Sequence, residues 1–274
     1  MSRPASGDFF LVTCEHGGNR IPARYRDLFP AEASILRTHR GYDMGALRVA
    51  RDMAAALRAP LHAATISRLL IDLNRSPRHP KLYSEFTRGA PPAIRHEIKT
   101  LFHAPYRAAA EARIEKAIAE GRRVIHVSCH SFTPALNGEV RNADVGLLYD
   151  PARRAETALC RRWKAALQAR APALKTRMNY PYAGTDDGFT VALRRRFSEE
   201  RYVGIELEIN QCHAAPRGKH WNDMRGAVIA ALRDAMGMPE NQGGIEDRNR
   251  AEKGSMRIRR RRIHMLPPQA GKPD

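Results

Sequence analysis

The chain alternates short, β-branched apolar runs with longer stretches in which apolar residues recur every three or four positions. Strand-like runs occupy residues 9–14, 123–129, 144–149 and 202–210, with a shorter extended stretch at 175–179. Helical spacing occupies 43–58, 104–120, 153–170, 187–197 and 221–236. Pro60 closes the first helix, Gly121 stops the second, and Thr185 or Asp186 is available as N-cap of the fourth. Residues 61–67 and 69–73 read as strand, turn and strand, and 78–92 as a long surface loop rich in proline, charge and aromatics. Such alternation predicts an α/β domain over residues 1–240, a mostly parallel sheet with helices on both faces. Periodicity stops after Gly237, and residues 241–274 read as a basic, disordered tail.

Composition changes this picture little. The 274 residues are 43% hydrophobic, enough to bury a sizeable core. The net charge of +18 comes partly from residues 245–274, with nine Lys/Arg against four Asp/Glu, and otherwise from scattered helical Arg-Ala stretches. Solvated faces account for that pattern, and no nucleic-acid partner is expected. Four cysteines without a CxxC pair exclude a Cys-based structural zinc site; Cys14 and Cys129 read as small buried hydrophobes. No run of eighteen apolar residues and no signal-peptide core is present, so a cytoplasmic protein without a membrane partner is expected.

The candidate chemistry sits where apolar runs end. Four strings carry it: Cys14-Glu15-His16-Gly17-Gly18-Asn19, Asp72-Leu73-Asn74-Arg75, Ser128-Cys129-His130-Ser131 and Glu206-Leu207-Glu208. Ligands of open α/β sheets bind at the carboxyl ends of strands, so the four should share a site. A lone loop histidine usually satisfies backbone groups, but His16 and His130 at two strand ends point to a shared metal ion. A catalytic zinc takes three protein ligands. The third is sought among Asp43, Glu15 and Asn19, with Asp43 preferred because a carboxylate oxygen binds zinc better than an amide. Glu206 and Glu208, two apart on a strand, share a face. Glu208, nearer the end, is the expected general base and acid, and Glu206 an ion-pair or supporting residue. Arg68, Asn74 and Arg75 offer a fork and an amide for carboxylates, or a surface ion pair to Asp72.

Five stretches carry a family resemblance: Cys-Glu-His-Gly-Gly-Asn-Arg-Ile-Pro (14–22), Tyr-Asp-Met-Gly-Ala (42–46), Ser-Arg-Leu-Leu-Ile-Asp-Leu-Asn-Arg (67–75), His-Val-Ser-Cys-His-Ser (126–131) and Glu-Leu-Glu-Ile-Asn-Gln (206–211). The chain resembles the N-formylglutamate amidohydrolase family, relatives of the zinc carboxypeptidases and aspartoacylase. The resemblance implies a three-layer αβα fold of zinc carboxypeptidase type with a mixed, mostly parallel sheet. It implies Zn2+ held by His16 and His130, Glu208 as base, Asn74 and Arg75 on a substrate carboxylate, and Arg68 at the scissile carbonyl or oxyanion. The carboxypeptidase pattern His-x-x-Glu is replaced here by His16-Gly17-Gly18-Asn19, so either Asp43 substitutes or the zinc is held differently. The implied reaction is hydrolysis of a small acidic N-acyl amino acid, N-formyl-L-glutamate to formate and glutamate, in a positive pocket rimmed by residues 182–188. The alternatives are a zinc amidase for another N-acyl amino acid or small peptide, and a non-catalytic binding protein of the same fold.

Overall fold

In the computed structural model, residues 7–30, 34–214 and 218–239 are described; the tail expected at 241–274 lies outside them. The strands are β1 (Asp8–Cys14), β2 (Leu61–Ala63), β3 (Arg123–Phe132), β4 (Ala135–Leu136), β5 (Glu139–Val140), β6 (Val145–Leu148), β7 (Thr176–Met178) and β8 (Tyr202–Asn210). The α-helices are α1 (Ala46–Leu57), α2 (Pro92–Ile98), α3 (Ala104–Ala119), α4 (Arg154–Arg170), α5 (Phe189–Arg196) and α6 (Lys219–Ala235). Six strands form one sheet in the order β2-β1-β3-β8-β6-β7, parallel except where β6 meets β8. The expected mixed, mostly parallel α/β sheet is therefore present.

Strand periodicity divides the sheet into two chemistries. On one face Val12, Val127, Ile205 and Leu207 pack with α1, α4 and α6 in an apolar cluster. Alternate residues of the same strands face α3 and α5. There Leu11, Val124 and Tyr202 join Ile114 and Phe189 in a second cluster. Further along that second face the residues turn polar, His126, Ser128 and His130 on β3, with Glu206 opposite Ser128 and Glu208 opposite His130 on β8. Each fully buried aliphatic side chain on the apolar face contributes about 1.5–3 kcal/mol. That face anchors the sheet while the other is left free to carry charge at its carboxyl ends.

Three expectations need correction. Residues 69–73 form no strand. Leu70 N bonds to Ser67 O, Asp72 N to Leu82 O, and Leu70 and Ile71 are both fully buried. A short apolar run buried on all sides reads like a central strand, yet turns satisfy its backbone here. Only β2 remains of the predicted pair of strands. Second, β3 runs three residues past the predicted end, because Ser131 and Phe132 still pair with Ile209 and Asn210, so His130 lies within the strand. Third, α5 begins at Phe189 with Gly188 as its N-cap, not Thr185 or Asp186.

Two features were not expected from the pattern. One is α2, continued into α3 by a π-type turn at Lys99–His103. The other is the β4–β5 hairpin, whose Asn137 (φ 52°) and Gly138 (φ 84°) both take left-handed backbone. Asn-Gly between short extended runs is a two-residue hairpin signal and was present in the sequence.

Candidate active site

Asp43 owes its place to the start of α1. The helix begins only at Ala46, after left-handed Gly45 (φ 85°), so Asp43 precedes it instead of opening it. Its backbone N–H donates to His16 O at 2.9 Å, which ties the loop after β1 to this turn. The Asp43 Oδ2 atom then lies 3.3 Å from His16 Nδ1 and 2.8 Å from His130 Nδ1. All three side chains are buried. Each offers one donor atom, and these atoms lie within 4.8 Å of one another. The two histidines expected to converge do converge, and of the three candidate partners Asp43 is the one beside them.

Glu15 and Asn19 are elsewhere. Glu15 lies beneath His130, its Oε1 accepting from Tyr106 OH (3.0 Å) and its Oε2 from Ser128 Oγ (2.6 Å), 3.2 Å from His130 Nε2. Asn19 lines a separate cavity with Arg20, Arg26 and Arg37.

The outer nitrogen of each imidazole is anchored. His16 Nε2 lies 2.7 Å from Asp72 Oδ1, and His130 Nε2 lies 3.0 Å from Ser128 Oγ. Burial alone would raise the Asp72 carboxyl, but Arg68 and His16 outweigh it and hold it well below the usual carboxylate range. An ionised carboxylate only accepts, so His16 donates to Asp72 from Nε2, and its Nδ1 faces Asp43. Burial also opposes ionisation of Asp43 and Glu15, and in both the neighbouring imidazoles outweigh it and depress the carboxyl. The Nδ1 atoms of both rings and a carboxylate oxygen thus converge on one point, an arrangement held together by a proton or by a cation in its place. The donor set, two imidazoles and one carboxylate with carboxylates behind both rings, fits a catalytic zinc with an open position.

Glu208 lies across from this trio. It is buried, and its Oε2 has no hydrogen-bond partner among the described residues, a situation that costs about 1–3 kcal/mol in a folded protein. Burial first, then the charges of Asp43 and Glu206, push its carboxyl up to about 8, against the lowering pull of His130 and Arg68. Space for it comes from Gly146, paired with Glu208 across β6. A Cβ there would stand 2.0 Å from Tyr180 O and 3.2 Å from Glu208 Cβ. Glu206, one pleat back, is partnered, with Thr190 Oγ1 donating to it at 2.5 Å.

The irregular segment after β2 brings Arg68, Asn74 and Arg75 to the same place. Arg68 bridges two acids, bonding Asp43 Oδ1 (3.3 Å) and Asp72 Oδ2 (2.8 Å). Behind the segment, Arg107 and His103 of the α3 entrance bind the carbonyl of residue 75 at 3.2 and 2.9 Å. In front, loop 182–188 and the first residue of α5 are fastened to it by three bonds. Arg75 Nη1 donates to Asp187 O (2.7 Å), Ser76 N to Asp187 Oδ2 (2.9 Å) and Phe189 N to Asn74 Oδ1 (2.7 Å). Asn74 thereby spends its carbonyl and keeps its amide N–H groups for the cavity.

All seven side chains expected from sequence, His16, Asp43, Arg68, Asn74, Arg75, His130 and Glu208, line one cavity of about 440 Å³ together with Glu206. Tyr182, Asp186 and Asp187 complete its wall, as the rim reading of 182–188 anticipated. The positive pocket is not found. Five carboxylates line the cavity against two guanidinium groups, and one of those two, Arg68, is paired with two acids. Asp72 had been read as a surface partner for arginine; it is buried and also anchors His16.

The family model for N-formylglutamate amidohydrolase matches residues 9–214. The chain belongs to that family. Amidohydrolase activity on a linear amide therefore belongs to the lineage of this cavity. No curated protein matches the chain. Among solved structures, gene product Atu2144 from Agrobacterium tumefaciens superposes with a TM-score of 0.72 at 28% identity, over 83% of this chain and 90% of that one. N-formylglutamate amidohydrolase from Ralstonia eutropha JMP134 superposes with a TM-score of 0.64 at 19% identity, over 84% and 94%. The second likeness speaks to fold. In this member of the N-formylglutamate amidohydrolase family no described helix is long and apolar enough to cross a membrane.

Proposed function

We propose that the protein is a zinc-dependent amidohydrolase that cleaves the amide of an N-acyl α-amino acid, with N-formyl-L-glutamate as the reference substrate of its family. The observation that carries this reading is the buried trio of His16, Asp43 and His130 facing an unpartnered Glu208 across one cavity. Zn2+ held by the trio would polarise the scissile carbonyl and acidify water at the open position towards a pKa of about 7.

The chain's own groups supply the remainder. Glu208 Oε2 takes a proton from the attacking water and returns it to the departing amine nitrogen. Asp72 and Glu15 hold the imidazoles in the tautomer that turns both Nδ1 atoms inward. Asn74 Nδ2 and the free edge of the Arg75 guanidinium hold the α-carboxylate, which fixes the acyl group relative to Glu208. Arg68 keeps Asp43 and Asp72 ionised and adds positive charge near the oxyanion.

The test is release of formate from N-formyl amino acids, or acetate from N-acetyl ones, by protein stripped with chelator and reloaded with Zn2+. Release that requires the metal is the expected result. No hydrolysis of any compound after reloading would leave the non-catalytic reading of the fold.

A further inference from the structure

Where the substrate's side chain must lie follows from how loop 182–188 is fastened. Asp187 bonds to Arg75 and Ser76, and Phe189 just after the loop bonds to Asn74, all three in the segment that receives the α-carboxylate in the hydrolase reading. An amino acid anchored there has its side chain beside the same loop. The loop presents Asp186 and Asp187 to the cavity, together with Tyr182, a residue 42% exposed. Asp186 uses Oδ2 on Ala183 N (3.1 Å) and Asp187 uses Oδ2 on Ser76 N (2.9 Å). Among the described residues neither carboxylate makes an ion pair within 4.0 Å, and their hydrogen bonds are made by Oδ2 and not Oδ1.

A second carboxylate on the substrate finds little to hold it. Arg68 is committed to Asp43 and Asp72, and Arg75 is engaged by the α-carboxylate and Asp187 O. Glu206 adds another acid to the wall, and among the described residues its hydrogen bond is to Thr190. A dianion such as N-formylglutamate would therefore place its distal charge against acids. A guanidinium or ammonium group would meet two carboxylate oxygens and an aromatic rim, the chemistry that recognises cations. The Tyr182 ring itself carries the Arg141 guanidinium, 5.0 Å from its centroid, so the two carboxylates and not the ring are the groups that select the side chain.

We propose that the protein selects N-acyl amino acids with a basic side chain, of the arginine or lysine class, and that Asp186 and Asp187 are its specificity-determining residues. This rests on the hydrolase reading above and narrows its substrate.

The experiment is steady-state kinetics of the zinc-loaded, full-length protein on N-formyl-L-arginine, N-formyl-L-lysine, N-formyl-L-leucine and N-formyl-L-glutamate. The expected order of kcat/KM is basic above leucine above glutamate, with about tenfold or more between arginine and glutamate. In Asp186→Asn/Asp187→Asn the amide oxygens keep the acceptors for Ala183 and Ser76, so the loop stays fastened. The arginine-to-glutamate ratio should then fall to within about threefold, an effect mainly on KM. Because a misfolded variant would also lose discrimination, the ratio in the unaltered protein is read at low and high salt; screening should shrink it. Glutamate equal to or better than arginine would overturn this inference while leaving the hydrolase reading intact. No turnover of any of the four would overturn both.

Discussion

His126 and His130 sit four residues apart on β3 and point to the same face, yet their surroundings give them opposite chemistry. His126 is fully buried between Thr13 Oγ1 (2.9 Å) and Tyr202 OH (2.7 Å). Burial there depresses its imidazole to about 4, so it is a neutral residue that satisfies two hydroxyls. His130 is as deeply placed, but it meets Asp43 on one nitrogen and the Ser128–Glu15 pair on the other. Burial again works against protonation, and here the two carboxylates outweigh it and raise the imidazole well above its ordinary range. The adjacent strand repeats the contrast. Glu206 is satisfied by Thr190, whereas Glu208, one pleat further, is left with a bare oxygen. Distance along the strand towards its carboxyl end is what separates packing from chemistry.

That contrast can be broken by substitution. The largest effect expected is on catalysis: Glu208→Gln should lower kcat by about 10²–10⁴-fold while metal content stays at the wild-type value. Glu206→Gln should do far less, and a reversed order would exchange their roles. Next, His126→Leu should leave zinc stoichiometry unchanged and cost about 1–3 kcal/mol in chemical denaturation, since Thr13 and Tyr202 lose their partner. Loss of metal with His126 would erase the distinction between the two histidines.

The Glu208 carboxyl also gives a pH signature in metal-stripped protein. Its folded-state value of about 8 lies above the ordinary 4.5, so the folded protein keeps a proton that the unfolded chain has released. Stability should therefore fall as pH rises from 4.5 to about 8, by up to a few kcal/mol, and level off above. Urea midpoints across that range measure it, and the Glu208→Gln protein should lack this component. Smaller again, Asp72→Asn should weaken zinc affinity by about 10–100-fold by loosening His16, as competition with a chelator would show. Asn19→Ala, outside the cavity, should change affinity by less than about twofold.

Much of this arrangement was legible in the sequence, because the strands that carry it are continuous. β1, β3 and β8 are rich in β-branched residues and largely buried, so His16, His130 and Glu208 could be placed near the carboxyl ends of strands by counting, although His130 proved to lie within β3. Asp43 could be favoured on donor chemistry alone. The segment after β2 could not be read, since Leu69, Leu70, Ile71 and Leu73 bury themselves through turns that leave no period. For the same reason Asp72 was not recognised as the anchor of His16, a contact made across 56 positions. The charge of the cavity was misjudged because the positive pocket came from the family resemblance, which says nothing of the acids on this chain's own rim loop, Asp186 and Asp187.

The most direct measurement is zinc titration of chelator-stripped protein by isothermal calorimetry, alongside His16→Ala, Asp43→Ala and His130→Ala. One tight ion per chain, weakened by orders of magnitude in each of the three variants, is the expected result. Wild-type affinity retained in all three, or no binding by the unaltered chain, would contradict a metal centre at the ends of β1 and β3.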